Sequence, residues 1–102
     1  MFGFLKNLFG PKTDFKALVD AGALIIDVRT PEEFRAGHVE KSVNIPLHVI
    51  GSKMSDLKKK KKVIIAICRS GRRSGTAAWM MKSAGIEAYN GGGWRAFNAK
   101  LK

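Results

Sequence analysis

The chain has 102 residues, 45% of them hydrophobic, and 19 Lys and Arg against 8 Asp and Glu give it a net charge of +11. This length allows one hydrophobic core and leaves no room for a separate cofactor domain, and the composition excludes a disordered or fibrous chain. The single cysteine excludes an internal disulfide. Neither it nor the two histidines have ligand-type spacing, so no metal site is predicted.

The chain opens with an apolar segment, MFGFLKNLFG, interrupted by Lys6 and Asn7. It lacks a basic leader and is too short for a membrane-spanning helix or a typical signal peptide, so we expect a cytoplasmic protein with no transmembrane segment. One domain is predicted over residues 13–102. Residues 1–12 are expected to pack on its core, with a membrane surface or a partner as the alternative.

The excess of positive charge favours anionic partners. The lysine run from Lys58 to Lys62 precedes an apolar strand-like segment, which is typical of a solvated loop. Since the chain shows neither zinc-finger spacing nor a recognition helix, no specific nucleic-acid partner is predicted. A basic protein that binds nucleic acid or a membrane in a salt-sensitive way is a minor alternative.

The first predicted elements are a helix and a buried strand. Thr13 or Asp14 is a suitable cap for the helix, which ends near Gly22. The continuous apolar run from Ala23 to Val28 then predicts a strand that is covered on both faces.

A second helix is predicted to begin at TPEEF. Thr30 is its cap, Pro31 suits the first helical position, and Glu33 completes a capping box. A short strand is predicted around residues 39–45, and a short helical stretch over residues 47–57.

The second buried strand, Val63 to Ile67, runs directly into Cys68. The loop CRSGRRSG then leads into a long helix. Residues 86–89 predict a final strand, followed by a turn over three glycines, 91–93, and a short terminal helix.

Strands and helices therefore alternate, which predicts the α/β class with a parallel sheet. In open sheets of this kind, ligands bind at the carboxyl ends of the strands. Asp27 and Cys68 both fall at such an end, so we expect the functional site there.

Cys68 precedes the N-terminus of a helix, where unpaired N–H groups and the helix dipole favour an anion. The loop adds three arginines, Arg69, Arg72 and Arg73. A populated thiolate is therefore expected at neutral pH. Gly71 permits a curl that turns backbone amides inward, and Ser74 is predicted to cap the helix. The opposing interpretation is an inert buried thiol.

Three segments together resemble the rhodanese family: residues 27–46 (DVRTPEEFRAGHVEKSVNIP), 68–78 (CRSGRRSGTAA) and 91–97 (GGGWRAF). Their order and spacing cover most of the chain. The resemblance implies a sandwich of helices on both faces of a parallel sheet of about five strands. It also implies thiosulfate as the usual laboratory donor and a chemistry without metal or organic cofactor.

The resemblance further implies that Cys68 is the nucleophile that forms a persulfide. The loop expected to bind the substrate consists of Arg69, Ser70, Gly71, Arg72 and Arg73. Its amides are expected to hold the transferred sulfur. Arg69 and Arg72 are the best candidates to bind the sulfonate of thiosulfate, because a guanidinium offers several fixed donors to an oxyanion.

Asp27 and Arg29 match the family's pair at a strand end. We expect them to orient the loop together with Ser74, with a plain structural ion pair as the alternative. His38 and Trp94 are expected to serve in packing and hydrogen bonding, and His48 matches no family role.

Two stretches depart from the family pattern. Lys41 and Ser42 stand where many relatives have Gly-Ala, which is expected to alter a turn and leave the chemistry unchanged. Residues 10–12, Gly-Pro-Lys, stand where the family has its first strand, and they form strands poorly. We expect the sheet either to lose that edge member or to recruit the opening segment.

Phosphatases and arsenate reductases share this architecture, so the fold does not decide the reaction. Those enzymes place five residues between the cysteine and a clamping arginine, whereas four separate Cys68 from Arg73 and Ser74 follows. The smaller ring of amides favours a persulfide sulfur. We therefore predict a thiosulfate:cyanide-type sulfurtransferase with a small sulfur-containing anion as donor and a small-molecule or protein thiol as acceptor. A catalytically silent binding module and, less favoured, a phosphatase-like enzyme are the alternatives.

Overall fold

The computed structural model describes residues 13–102, and the predictions made for residues 1–12 lie outside that part. Its strands are β1 (Leu24–Asp27), β2 (Val43–Asn44), β3 (Ile64–Cys68) and β4 (Ala88–Gly93). Its helices are α1 (Phe15–Asp20), α2 (Pro31–Ala36), α3 (Leu47–Ile50), α4 (Met54–Lys59), α5 (Arg72–Ser83) and α6 (Trp94–Lys100), with a 3₁₀ turn (Gly51–Lys53) between α3 and α4.

The strands form one parallel sheet in the order β2-β1-β3-β4. The predicted α/β class is confirmed, and the described part of the chain contributes four strands against the roughly five expected. Because β1 and β3 are neighbours and parallel, their carboxyl ends meet at one edge of the sheet.

Helices cover both faces of the sheet, as the continuous apolar strands predicted. One face packs Ile26, Ile64 and Ala66 against α3, α4 and α5. The other packs Ile25, Ile65 and Ile67 against α1 and α6. Side chains alternate between the faces along β3, so Cys68 points to the side of α5.

The helix starts predicted at Thr13 or Asp14 and at Thr30 are confirmed. Asp14 caps α1 by accepting a hydrogen bond from the Ala17 amide at 3.0 Å. At α2, Thr30 accepts from the Glu33 amide at 3.2 Å, and Glu33 accepts from the Thr30 amide at 3.0 Å, which completes the capping box. This box places Glu33 in the first turn of α2, directly after the carboxyl end of β1.

Two predictions about strands are wrong. Of residues 39–45, only Val43 and Asn44 pair with β1. The three glycines 91–93 belong to β4, and Gly91 is an extra residue in that strand, since Ala66 pairs with Asn90 and Ile67 with Gly92. A Cβ atom on Gly91 would lie 2.8 Å from side-chain carbons of β3, so the strand continues through a residue that only glycine can occupy.

The lysine run ends α4 and fills the turn before β3, and all of Lys58 to Lys62 are exposed. A solvated segment was the expectation for this run. No helix within residues 13–102 is long and apolar enough to cross a bilayer.

Candidate active site

Cys68 is the last residue of β3, and the residue is only 1% exposed. Its sulfur nevertheless has polar partners. The Gly71 amide donates to Sγ at 3.0 Å and the Ser74 amide at 3.4 Å, while the Ser74 hydroxyl oxygen lies 3.2 Å from Sγ. The thiol is therefore held by inward-facing N–H groups rather than by hydrocarbon alone.

Burial and hydrogen bonding act in opposite directions on the pKa of Cys68. Burial raises it, because the charged form loses solvation. The hydroxyl and amide of Ser74 lower it, and so do the amides of Gly71 and Ser70. Together these bonds outweigh burial and bring the pKa below its usual value, which favours the nucleophilic thiolate.

The start of α5 differs from the prediction. Gly71, with φ +99°, is the N-cap, and the helix begins at Arg72. Ser74 is fully buried within the first turn and is not the cap. The left-handed φ requires glycine and curls the loop back, so that the Gly71 and Ser74 amides converge on Cys68.

Arg73 is engaged by Glu33. The two side chains form a bidentate ion pair, with Nη1 to Oε1 at 2.7 Å and Nη2 to Oε2 at 3.0 Å. The hydrogen bonds from Arg73 are the largest influence on Glu33 and hold the pKa of its carboxyl at about 2. Arg73, expected among the substrate-binding residues, therefore ties the first turn of α5 to the first turn of α2.

The other arginines of the loop face solvent. Arg69, Ser70 and Arg72 are exposed, and within residues 13–102 neither arginine side chain makes a hydrogen bond or an ion pair. Arg69 contributes to a pocket of about 250 Å³, which is also lined by Arg29, Glu33, Ala36, Gly37, Trp94 and Arg95. Cationic donors therefore lie beside the loop that follows Cys68.

Asp27 and Arg29 form a buried ion pair, at 0% and 4% exposure. The Arg29 Nη2 lies 2.8 Å from Asp27 Oδ2, and its Nε lies 2.9 Å from Oδ1. Arg29 also donates to the Gly37 carbonyl at 2.7 Å and stacks 4.7 Å above the Trp94 ring. The pair thus joins the end of β1 to the segment after α2, and both roles considered from the sequence, orienting the loop and a plain structural ion pair, stay predictions.

The remaining aromatic and histidine residues have the packing roles expected of them. His38 stacks on Phe34 with 3.8 Å between ring centroids, and its Nδ1 lies 2.7 Å from the Phe34 carbonyl. The Trp94 ring makes cation–π contacts with the guanidinium groups of Arg29 and Arg95. His48 is exposed on α3. Residues 13–102 contain no cluster of His, Cys, Asp or Glu that could hold a metal ion.

Two residues of the site were missed from the sequence. Glu33 was identified only as part of a capping box, yet it also binds Arg73. Asn90 was not considered at all, although its Oδ1 accepts from Ser74 Oγ at 2.7 Å and its Nδ2 donates to the Gly71 carbonyl at 3.0 Å. A lone amide side chain just before three glycines was the available signal for Asn90.

A cysteine at a strand end, with its sulfur held by the amides of the next loop, agrees with the family resemblance of the sequence. A sequence profile described as rhodanese-like domain matches residues 11–100. The chain belongs to the rhodanese-like family. The match extends over the whole of the described site.

Named relatives of this rhodanese-like chain include sulfurtransferases. The "Thiosulfate sulfurtransferase PspE" of Escherichia coli is 32% identical over 92 residues, which cover 88% of each chain. The "Uncharacterized protein YqhL" of Bacillus subtilis is 37% identical over 82 residues, and the match spans 64% of its length. A solved structure, "rhodanese with anions from E. coli", superposes with a TM-score of 0.66 at 30% identity and covers 72% of this chain and 89% of its own.

Proposed function

We propose that this protein is a sulfurtransferase in which Cys68 accepts a sulfane sulfur as a persulfide and passes it to a thiophilic acceptor. The observation that supports this proposal most directly is the position of the Gly71 and Ser74 amides, which donate to Sγ at 3.0 and 3.4 Å. Donors fixed in this way stabilise negative charge on sulfur without any rearrangement.

The reaction proceeds in two displacements. The Cys68 thiolate attacks the outer sulfur of thiosulfate, the S–S bond of the donor breaks, and sulfite leaves with the bonding electron pair. Cyanide or a thiolate then attacks the outer sulfur of the persulfide, and Cys68 departs as a thiolate. No net oxidation occurs, so the cycle needs no redox partner.

The surroundings of Cys68 fit a small anionic donor. Because the residue is 1% exposed, the donor has to present its sulfur as a narrow terminal group, as thiosulfate does. The exposed guanidinium groups of Arg69 and Arg72 are suited to bind the sulfonate oxygens outside the loop. The proposed acceptor is a small-molecule or protein thiol, and the proposed compartment is the cytoplasm, where such thiols are kept reduced.

Intact mass spectrometry tests the proposal. After incubation with thiosulfate, the protein is expected to gain the mass of one sulfur atom, and cyanide is expected to remove it with release of thiocyanate. Cys68→Ser is the matched control, because it keeps the size of the side chain and cannot form a persulfide. An unmodified mass for the wild-type protein would favour the silent binding module.

A further inference from the structure

Ser74 lies between two acceptors and has a single hydroxyl proton to donate. Its Oγ is 2.7 Å from Asn90 Oδ1 and 3.2 Å from Cys68 Sγ. Ser74 is fully buried, and its hydroxyl can donate its one proton either to Asn90 Oδ1 or to Cys68 Sγ. The choice depends on whether the sulfur is charged.

The orientation of the Asn90 amide follows from its two backbone partners. Oδ1 accepts a hydrogen bond from the Gly92 amide at 2.9 Å, and Nδ2 donates to the Gly71 carbonyl at 3.0 Å. An inverted amide would oppose donor to donor and acceptor to acceptor. Asn90 therefore presents an acceptor to Ser74, and the same side chain reaches the loop beneath Cys68.

We propose that Asn90 is a positioning residue that acts on Cys68 through Ser74, because its Oδ1 competes with the sulfur for the one hydroxyl proton. The inference rests on the proposed function, since it concerns the nucleophile of that reaction. The hydrogen bonds of Asn90 go to Ser74, Gly71 and Gly92, and none goes to the sulfur.

Two arrangements of the same atoms follow. When Cys68 is a thiol, its S–H donates to Ser74 Oγ and the Ser74 hydroxyl donates to Asn90 Oδ1. When the thiol proton leaves to solvent, the hydroxyl turns about its Cβ–Oγ bond and donates to the thiolate, while Oδ1 keeps the Gly92 amide. Ser74 retains its own proton in both arrangements.

The same exchange accompanies sulfur transfer. Once Cys68 carries a second sulfur, Sγ is bonded on both sides and its charge moves to the outer atom, so the Ser74 hydroxyl returns to Asn90. When an acceptor removes the outer sulfur, the hydroxyl turns back to meet the thiolate that leaves. Asn90 thus gives the hydroxyl a second partner at each stage in which Sγ itself carries no charge.

A double-mutant cycle on the titration of Cys68 tests this inference, with the midpoint read from the pH dependence of iodoacetamide alkylation. Asn90→Leu removes the acceptor, and the leucine side chain has the same branching at Cγ. Because the Ser74 hydroxyl bonds to Asn90 only while Cys68 is a thiol, this substitution favours the thiolate. The ratio of thiolate to thiol at a given pH is expected to rise about three- to tenfold, the factor that one ordinary hydrogen bond represents. In a Ser74→Ala background the same substitution is expected to have a much smaller effect, limited to the loss of the Nδ2 bond to the Gly71 carbonyl.

A change of equal size in both backgrounds would overturn the inference, because it would show that Asn90 acts only by holding the loop. A shift toward the thiol in Asn90→Leu would overturn it as well. Asn90→Asp provides a second variant: it keeps the acceptor to Ser74 and strengthens it by charge. It is expected to disfavour the thiolate, and more strongly with Ser74 present than with Ala at position 74.

Alkylation does not require sulfur transfer, so this test is independent of the reaction itself. A double-mutant cycle with the expected coupling in a protein that gains no sulfur from thiosulfate would reject the proposed function and leave the inference about Asn90 and Ser74 intact. Normal sulfur loading without the coupling would reject the inference about Asn90 and leave the proposed function intact.

Discussion

The guanidinium of Arg73 and the carboxylate of Glu33, 40 residues apart in sequence, meet in a bidentate ion pair at 2.7 and 3.0 Å. Glu33 also closes the capping box of α2. One carboxylate therefore serves the start of α2 and the start of α5. The loop after Cys68 is thereby held from the β1 side by Glu33 and from the β4 side by Asn90.

The stability of the fold is expected to depend on pH through Glu33. Its pKa is about 2 in the folded chain and returns to its usual 4.5 on unfolding, so the ion pair stabilises the fold above pH 4.5. That stabilisation is lost as the pH falls from 4.5 to about 2. Glu33→Gln is expected to lower the free energy of unfolding at pH 7 by about 1 kcal/mol, a figure discounted for partial exposure.

Urea denaturation across this pH range provides the measurement. The difference between the wild-type protein and Glu33→Gln should shrink toward zero near pH 2. Glu32→Gln is the matched control in the same helical turn, since the Glu32 side chain is 77% exposed and lies 3.7 Å from Arg35. A control variant as unstable as Glu33→Gln would show that the effect is not specific to the Arg73 pair.

Removing the Ser74 hydroxyl is expected to raise the pKa of Cys68. The bond from this hydroxyl has the largest of the effects that lower the pKa. Without it, only the amide hydrogen bonds would oppose the increase in pKa that burial causes. In Ser74→Ala, the midpoint of the alkylation rate should move to higher pH, and thiosulfate loading at pH 6 should slow. Thr76→Ala, which removes an exposed hydroxyl from the same helix, should leave both unchanged.

Breaking the buried ion pair is expected to destabilise the fold strongly. Asp27→Asn leaves the charge of Arg29 buried without a counter-charge, which costs about 3 kcal/mol or more. Asp20→Asn provides the comparison, because Asp20 pairs with Lys16 at 3.0 Å on an exposed face and should cost less than about 1 kcal/mol. Equal losses of unfolding free energy in the two variants would contradict this assignment.

Gly91 is expected to tolerate no side chain. In Gly91→Ala, the new Cβ would lie 2.8 Å from the Cγ2 atoms of Ile65 and Ile67, and the overlap should cost about 1 to 3 kcal/mol. Gly51→Ala adds the same methyl group at φ −58° with only a 3.8 Å contact to Met80, so it should be neutral or stabilising. Thermal unfolding is the measurement: Gly91→Ala should lower the melting temperature, and Gly51→Ala should leave it unchanged or raise it.

Much of the fold follows from the sequence because its strongest signals are local. The continuous apolar runs of β1 and β3, the cap at Asp14 and the capping box at Thr30 all depend on residues close together in the chain. The position of Cys68 at the carboxyl end of β3 follows for the same reason. The resemblance to the rhodanese family then predicted how these elements are arranged around the sheet.

The parts that escaped prediction depend on contacts between distant segments. The Arg73 pair requires α2 to lie beside α5, and the Asn90 bonds require β4 to lie beside β3. The local sequence of glycines 91–93 predicts a turn. The close approach of Ile65 and Ile67, which makes glycine necessary at position 91, comes from a distant segment. Ser74 likewise reads as a cap until the φ of Gly71 shows where the helix begins.

The extra residue at Gly91 also affects the side chain that precedes it. Because Ala66 pairs with Asn90 and Ile67 with Gly92, Gly91 stands outside the ladder between β3 and β4. The amide of the next residue, Gly92, donates to Asn90 Oδ1 at 2.9 Å, and the same oxygen accepts from Ser74 Oγ. An irregularity at the edge of the sheet thus supplies the backbone donor that orients a side chain toward the neighbour of the sulfur.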